Sequence, residues 1–359
     1  MRALRLVSGR PAPPEALGAV LVRDLVVAGQ KWPKGRRLSA ADLARVADPT
    51  AGVDAGPRGL EPGAAPGFRV LVLEPAEIHE DDAALRLAAC VAGGGVVLRG
   101  PAESRVDLVA AAPGVVHVRV AAVTRIDRID PLAVFTLLDG QVVREGEVVG
   151  SVKIGPHAVP ASVLERGVRL ASRSGPLVWV APFVPRRVAA LVKETLRSLA
   201  RARFEEGMRT RVRSLGSDLV SITYVPDDEL AVTEALRPLV RGRRHVDLVL
   251  TAGAASTDPE DALYVAVGRL GGRIVRHGVP AHPGSMVWLA RVHATDLLGL
   301  PSCGAYSKAT AADLLLPRLL TGERASEQMA AALGHGGILG RAMRFRFPPY
   351  AQDFDPPQA

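Results

Sequence analysis

Residues 246–272 read VDLVLTAGAASTDPEDALYVAVGRLGG. An apolar run over Val246–Thr251 gives way to small residues, then to a polar turn, then to an apolar-periodic segment that stops at Gly271 and Gly272. That order predicts a buried strand, a tight turn and a helix over Pro259–Leu270, with Asp258 as N-cap, Pro259 at the first helical position and Asp261 as the capping-box acid. The same alternation continues on both sides. Upstream lie a short strand at Ala189–Val192, a helix with Phe204, Met208, Val212 and Leu215 on one face, and a strand at Leu219–Tyr224. Asp227 then caps a further helix, with Asp228 and Glu229 in its first turn. Downstream lie strands at Ile274–His277 and Leu297–Leu300 and the helix ATAADLLLPRLL, which opens on Thr310 and Asp313 and is kinked by Pro317. Strands alternating with helices predict an α/β fold, a three-layer C-terminal domain with a mainly parallel sheet.

The prolines and arginines of PFVPRR, residues 182–187, mark where this texture begins. Before them the chain reads as β-rich α+β modules: AVLVRDLVV, a helix LSAADLARVA capped by Ser39, the strand FRVLVLEP, the helix HEDDAALRLAACVAG and a mostly alternating β pattern over residues 114–160. The stretch DPTAGVDAGPRGLEPGAAPG reads as a linker or loop. The expected organisation is therefore 1–75, a β-rich module and linker; 76–185, an α+β / β-rich module; 186–322, the α/β domain; and 323–359, a C-terminal tail whose end, FRFPPYAQDFDPPQA, looks irregular.

Composition narrows the function. Of 359 residues, 48% are hydrophobic but only 4% aromatic, so the core is built of Val, Leu and Ala. Cys90 and Cys303 are the two cysteines, too few for a disulfide framework or a metal cage by themselves. No apolar run of about 18 residues suggests a membrane span, and a soluble, cytoplasmic protein is expected. The net charge of +8 rests on arginine, with clusters at Arg201, Arg203, Arg209, Arg211 and Arg213 and at Arg241, Arg243 and Arg244. Such a surface suits an anionic partner, whether nucleotide, phosphorylated small molecule or nucleic acid.

In an open α/β sheet, ligands lie beyond the carboxyl ends of the strands. Three stretches qualify. In the first, Thr251, Ala252, Gly253, Ala254, Ala255 and Ser256 let backbone approach a ligand, and Asp258 and Asp261 either cap the helix or hold Mg²⁺ beside a phosphate. The second packs His282, Pro283, Gly284 and Ser285 into a rigid loop, and the third is Pro301, Ser302 and Cys303, running to Lys308. Nothing in the sequence activates Cys303 as a nucleophile.

In order and spacing these stretches resemble the molybdopterin-binding domain of molybdopterin adenylyltransferases and molybdopterin molybdotransferases. Thr251 to Gly253 stand at its Thr-Gly-Gly turn, Asp261 at its helix-opening acid, Pro283 and Gly284 at its Pro-Gly loop, and Leu300 and Pro301 at its Leu-Pro-Gly turn. The chain resembles in particular the bacterial molybdopterin-binding proteins often fused to a molybdenum-cofactor cytidylyltransferase-like domain, a likeness that continues upstream into RRLSAADLARVA, HEDDAALRLA, VKIGPHAVP and APFVPRRVA. Ala252 and Ser302 replace family glycines, and no cytidylyltransferase-like domain follows Gly322. The resemblance implies binding of molybdopterin or the molybdenum cofactor, through its phosphate, in cofactor biosynthesis or delivery. In an enzymatic version, Asp261 with Asp258 would hold Mg²⁺ for adenylation with ATP or for metal insertion, while turn amides and Lys308 hold the anion. It also implies a homo-oligomer working with a separate cofactor-processing or acceptor enzyme. The alternative is a non-enzymatic nucleic-acid binder using the arginine clusters, although it lacks the interleaved aromatics of single-strand recognition.

Overall fold

A computed structural model describes residues 1–54, 67–193, 198–254, 256–301 and 309–352. They form two compact units, one of Met1–Ala111, Val118–Asp139 and Glu145–Val180, the other of Ala112–His117, Gly140–Arg144 and Ala181–Ala359.

In the first unit, strand Gly67–Val72 lies between Arg2–Val7 and Val20–Leu21, both antiparallel to it. Helix α1 (Ala40–Ala47) starts where its sequence says: the Ser39 hydroxyl accepts from the Asp42 amide, and the Asp42 carboxylate accepts from the Ser39 amide. Trp32, Leu38 and Val46 are buried beside Leu6, Leu21 and Val70. A four-stranded antiparallel sheet follows, ordered Leu132–Thr136, Val148–Ile154, Arg105–Ala110, Val96–Ala102. Helix α2 (Glu80–Val91) packs on it, capped by His79 and with three acids in its first turn. Two more helices, α3 (Val120–Asp127) and α4 (Ala161–Ser174), pack together. Helix α3 interrupts the stretch read above as alternating β; Ala122, Val123 and Ile126 are its buried side.

The second unit carries a six-stranded sheet. Its strands are β1 (Arg187–Val192), β2 (Asp218–Tyr224), β3 (Leu248–Ala252), β4 (Arg273–His277), β5 (Trp288–Val292) and β6 (Thr295–Gly299), in the order β2-β1-β3-β6-β5-β4. The pairings β2·β1, β1·β3 and β3·β6 are parallel, while β6·β5 and β5·β4 are antiparallel. The sheet is thus mixed, with a parallel half. Strand β5, WLARV, was not foreseen, and β6 begins two residues earlier than expected.

Successive side chains on a strand point to opposite faces, so the apolar runs VAALV and LVLTA supply two cores at once. Val188, Ala190, Val192, Leu248 and Leu250 pack on one side with α5 (Ser198–Arg213) through Phe204, Met208 and Val212. Ala189, Leu191 and Val249 pack on the other with α6 (Glu229–Val240) and α7 (Ala262–Arg269). Helix α8 (Ala312–Leu320) joins the first core through Leu315, Leu316 and Leu319, which completes a three-layer α/β arrangement.

The described residues after Gly322 carry more regular structure than a tail suggests. They form α9 (Glu327–Ala331), a 3₁₀ turn over Arg341–Arg346 and α10 (Pro349–Gln352), and bury Met329, Leu339, Phe347 and Ala351 in the first core. Here too Arg211 meets Asp313, Nε to Oδ1 at 2.9 Å, with both side chains buried. The second oxygen of Asp313 accepts from the Thr310 amide at 2.9 Å, the T-x-x-D contact expected at the start of α8. Tyr350 from α10 sits beside this pair, its phenol pushed well up by burial and by the Asp313 carboxylate.

Removing one partner of a buried ion pair leaves the other charge uncompensated. Asp313→Ala should therefore cost about 3–5 kcal/mol in urea unfolding. A loss below about 1 kcal/mol would show that Arg211 finds another partner or water.

Candidate functional site

Parallel β1, β3 and β6 end at one edge of the sheet, and the topology makes that edge a place for ligands. The chain runs from β1 outward to β2, then back across to β3 on the other side of β1, so the strand order reverses between β1 and β3. Lys193 follows β1 directly at that point, its amide donating to the Ala252 carbonyl at 2.9 Å. Next door, the Leu300 amide donates to the Thr251 carbonyl at 2.8 Å.

The Lys193 side chain is buried, and its ammonium donates to Asp261 Oδ2 at 2.8 Å and Asp227 Oδ1 at 2.7 Å. Burial alone would lower its pKa. The two carboxylates outweigh that and hold it above the ordinary lysine value. Their exposures differ sharply, because the Asp261 side chain is 0% accessible and that of Asp227 is 70% accessible.

Both helix caps lie elsewhere than the sequence pattern places them. Helix α7 begins at Ala262, with Asp261 as N-cap: Asp261 Oδ1 accepts from the Leu263 amide at 2.9 Å. Asp258 and Pro259 lie in a preceding turn, where Asp258 Oδ1 accepts from the Glu260 amide and the Asp258 carbonyl accepts from the Asp261 amide. On α6 the cap is Asp228, which accepts from the Ala231 amide at 2.8 Å, and this leaves Asp227 for Lys193. Sequence patterning missed Lys193 altogether. The available signal was a single charge continuing an apolar strand, VAALVK.

Both Asp261 oxygens already have protein partners, and Asp258 is exposed in its own turn. This donor set does not fit Mg²⁺ without displacing Lys193. Among the described residues no cluster of three or more His, Cys, Asp or Glu has the arrangement of a metal site.

The other expected residues fall as follows. Thr251 and Ala252 are buried at the end of β3, and the Thr251 hydroxyl has no hydrogen-bond partner among the described residues. Gly253 turns the chain at φ +93°, a left-handed value that suits glycine, and Ala254 is half-buried. Ser256 donates to the Met286 carbonyl at 3.2 Å, which joins the first stretch to the Pro-Gly loop. In that loop Pro283 and Gly284 are buried, Ser285 is half-buried and His282 is exposed, its amide and carbonyl bonded to Gly337 and Leu339. The Pro283 carbonyl accepts from the Ala311 amide at 2.9 Å, seating the loop on the start of α8. Pro301 is buried one residue beyond the Leu300 contact. Ala255, Ser302, Cys303 and Lys308 lie outside the described residues.

Residues 190–321 match the family described as a probable molybdopterin binding domain. This segment belongs to that family. Its limits, from Ala190 in β1 to Thr321 just after α8, enclose most of the six-stranded sheet and the turns above. Similar solved structures include the molybdopterin biosynthesis enzyme MoaB of Thermus thermophilus, at 20% identity over 39% of this chain and 98% of that one, with a TM-score of 0.28. The molybdopterin biosynthesis MoeA protein of Pyrococcus horikosii is 15% identical over 68% of this chain and 79% of its own, with a TM-score of 0.30. A molybdenum cofactor biosynthesis protein B is 15% identical over 39% of this chain and 95% of its own, with a TM-score of 0.29. No curated protein matches the chain.

The arginine clusters within and beside the matched segment are partly consumed by the fold. Arg211 is buried against Asp313, Arg201 and Arg209 share Glu205, and Arg241 donates to His293. Among the described residues no helix is long and apolar enough to cross a membrane.

Two substitutions test this geometry. Asp261→Asn should cost about 3 kcal/mol in chemical denaturation, far beyond the loss of a cap oxygen, because it leaves buried Lys193 with only an exposed partner. A cost under about 1 kcal/mol would reduce Asp261 to a helix cap. Gly284→Ala should cost at least about 2 kcal/mol, since φ is +104° and a Cβ there would lie 2.6 Å from the Ala311 backbone nitrogen. A wild-type melting curve would mean that the loop is not held against α8.

Proposed function

We propose that the chain binds molybdopterin or the molybdenum cofactor through its phosphate, at the carboxyl edge of the sheet, and acts in molybdenum cofactor biosynthesis or delivery. The observation that carries this reading is a buried ammonium at the β1/β3 reversal of a domain whose family is described by molybdopterin binding. The two carboxylates play different parts. Asp261 holds the ammonium from below, while exposed Asp227 is a partner that a ligand phosphate can replace without burying a new charge. The Thr251 hydroxyl, without a hydrogen-bond partner among the described residues, and the backbone at Gly253 stand at the end of the neighbouring strand β3 and offer further polar groups. Because Asp261 is committed to Lys193, binding and delivery to a separate acceptor enzyme are favoured over Mg²⁺-dependent adenylation with ATP or metal insertion.

The test is to express the chain in cells that make the cofactor and to measure the co-purified pterin by fluorescence after oxidation. Wild-type protein should carry it. Thr251→Val removes a buried hydroxyl with no hydrogen-bond partner among the described residues, so its melting temperature should stay the same or rise. Its pterin affinity should fall tenfold or more, about 1.4 kcal/mol. Asp227→Asn, which removes the competing charge, should bind at least as tightly as wild type. Absence of pterin from the wild-type protein, or full affinity in Thr251→Val, would overturn the reading.

A further inference from the structure

Helices α3 and α4 of the first unit border an open cavity of about 890 Å³ lined by Arg119, Arg125, Arg166, Arg169 and Arg173, with Val120, Ala121 and Leu170 also in its lining. Among the described residues no acidic side chain lines it. Four of these arginines, at 125, 166, 169 and 173, have no hydrogen-bond or ion-pair partner among the described residues. The fifth is held in place: Arg119 donates to the Pro176 carbonyl at 3.0 Å and lies over the Trp179 ring at 5.6 Å. Positions 166, 169 and 173 follow the i, i+3, i+7 rule that puts them on one face of α4, spread along roughly 10 Å of its axis. Opposite them α3 begins at the cavity wall, and no side chain caps its N-terminus. The positive end of its dipole therefore adds to the arginine field.

We propose that this cavity binds a small molecule carrying two or three linked phosphates, free or as part of a nucleotide. Guanidinium groups match phosphate oxygens in paired hydrogen bonds, and five of them around one concavity offset several negative charges at once. The volume lies within the range of small-molecule sites, about 300–1,000 Å³. A nucleic-acid strand is a poorer occupant, because no aromatic side chain lines the cavity for bases to stack on. Nothing in the reading of the molybdopterin-binding domain depends on this site, and the two can fail separately.

Calorimetric titration of the full chain at low salt decides the matter, using inorganic tripolyphosphate, ATP, citrate and a twelve-nucleotide single-stranded DNA as probes. Tripolyphosphate, ATP or both should bind with one-to-one stoichiometry, weaken several-fold as salt is raised, and exceed citrate in affinity at least tenfold. Tighter binding of ATP would mark a nucleotide as the source of the phosphates, and tighter binding of tripolyphosphate a free polyphosphate. The double variant Arg166→Gln with Arg169→Gln changes exposed side chains, so it should melt like wild type and bind at least tenfold more weakly. Lack of binding by both phosphate probes at millimolar concentration would overturn the proposal. So would wild-type affinity in the double variant, equal affinity for citrate, or tighter binding of the DNA that the variant abolishes.

Discussion

A single buried ammonium ties together the turns at the carboxyl edge of the second unit's sheet. Lys193 continues β1, and its partners come from the turns after β2 and β3, at positions 227 and 261. Taking one charge out of water is costly, and the low dielectric of the interior returns that cost only when geometry and further hydrogen bonds are good. They are good here because Asp261 also serves the first amides of α7, so the same carboxylate fixes the lysine and the start of the helix. Three strand-end turns are thereby set relative to one another by contacts of 2.7 and 2.8 Å. An apolar residue at 193 would leave a carboxylate buried without its counter-charge.

The parallel part of the sheet was legible in sequence because its central strands β1, β3 and β6 are buried on both faces. Continuous apolar runs such as VAALV and LVLTA are what such burial requires, and β2 and β3 appear within a residue or two of where they were read. The antiparallel half was harder. Strand β5 carries a charge, Arg291, in the middle of WLARV, and only tertiary contacts explain it: Arg291 pairs with Asp296 on β6 and donates to the Ala325 carbonyl.

The helix starts show the same limit at closer range. Asp258 followed by Pro259 is a good local start signal, and so is Asp227 before two further acids. The first was displaced by three residues, because Asp258 closes a separate turn on the Glu260 amide and Asp261 both caps α7 and binds Lys193. The second was displaced by one, because Lys193, 34 residues away in sequence, takes Asp227. Local capping rules compare neighbours in the chain, whereas this partner arrives through the fold. The capping box at Ser39, where no such competitor intrudes, stands where its sequence places it.

Charge tells a parallel story. The dense arginine runs of residues 201–213 and 241–244 stand out in the sequence, yet several of those side chains are spent on internal carboxylates. The unspent ones on α3 and α4 are scattered through the sequence and become a cluster only when helical periodicity stacks them. Such a cluster carries a penalty, since like charges three and four residues apart on a helix repel by about 0.2–0.5 kcal/mol per pair. Arg166, Arg169 and Arg173 form two such pairs on α4. With no acid among the described residues of the cavity wall to relieve them, an anion held between these arginines would relieve that repulsion as it binds.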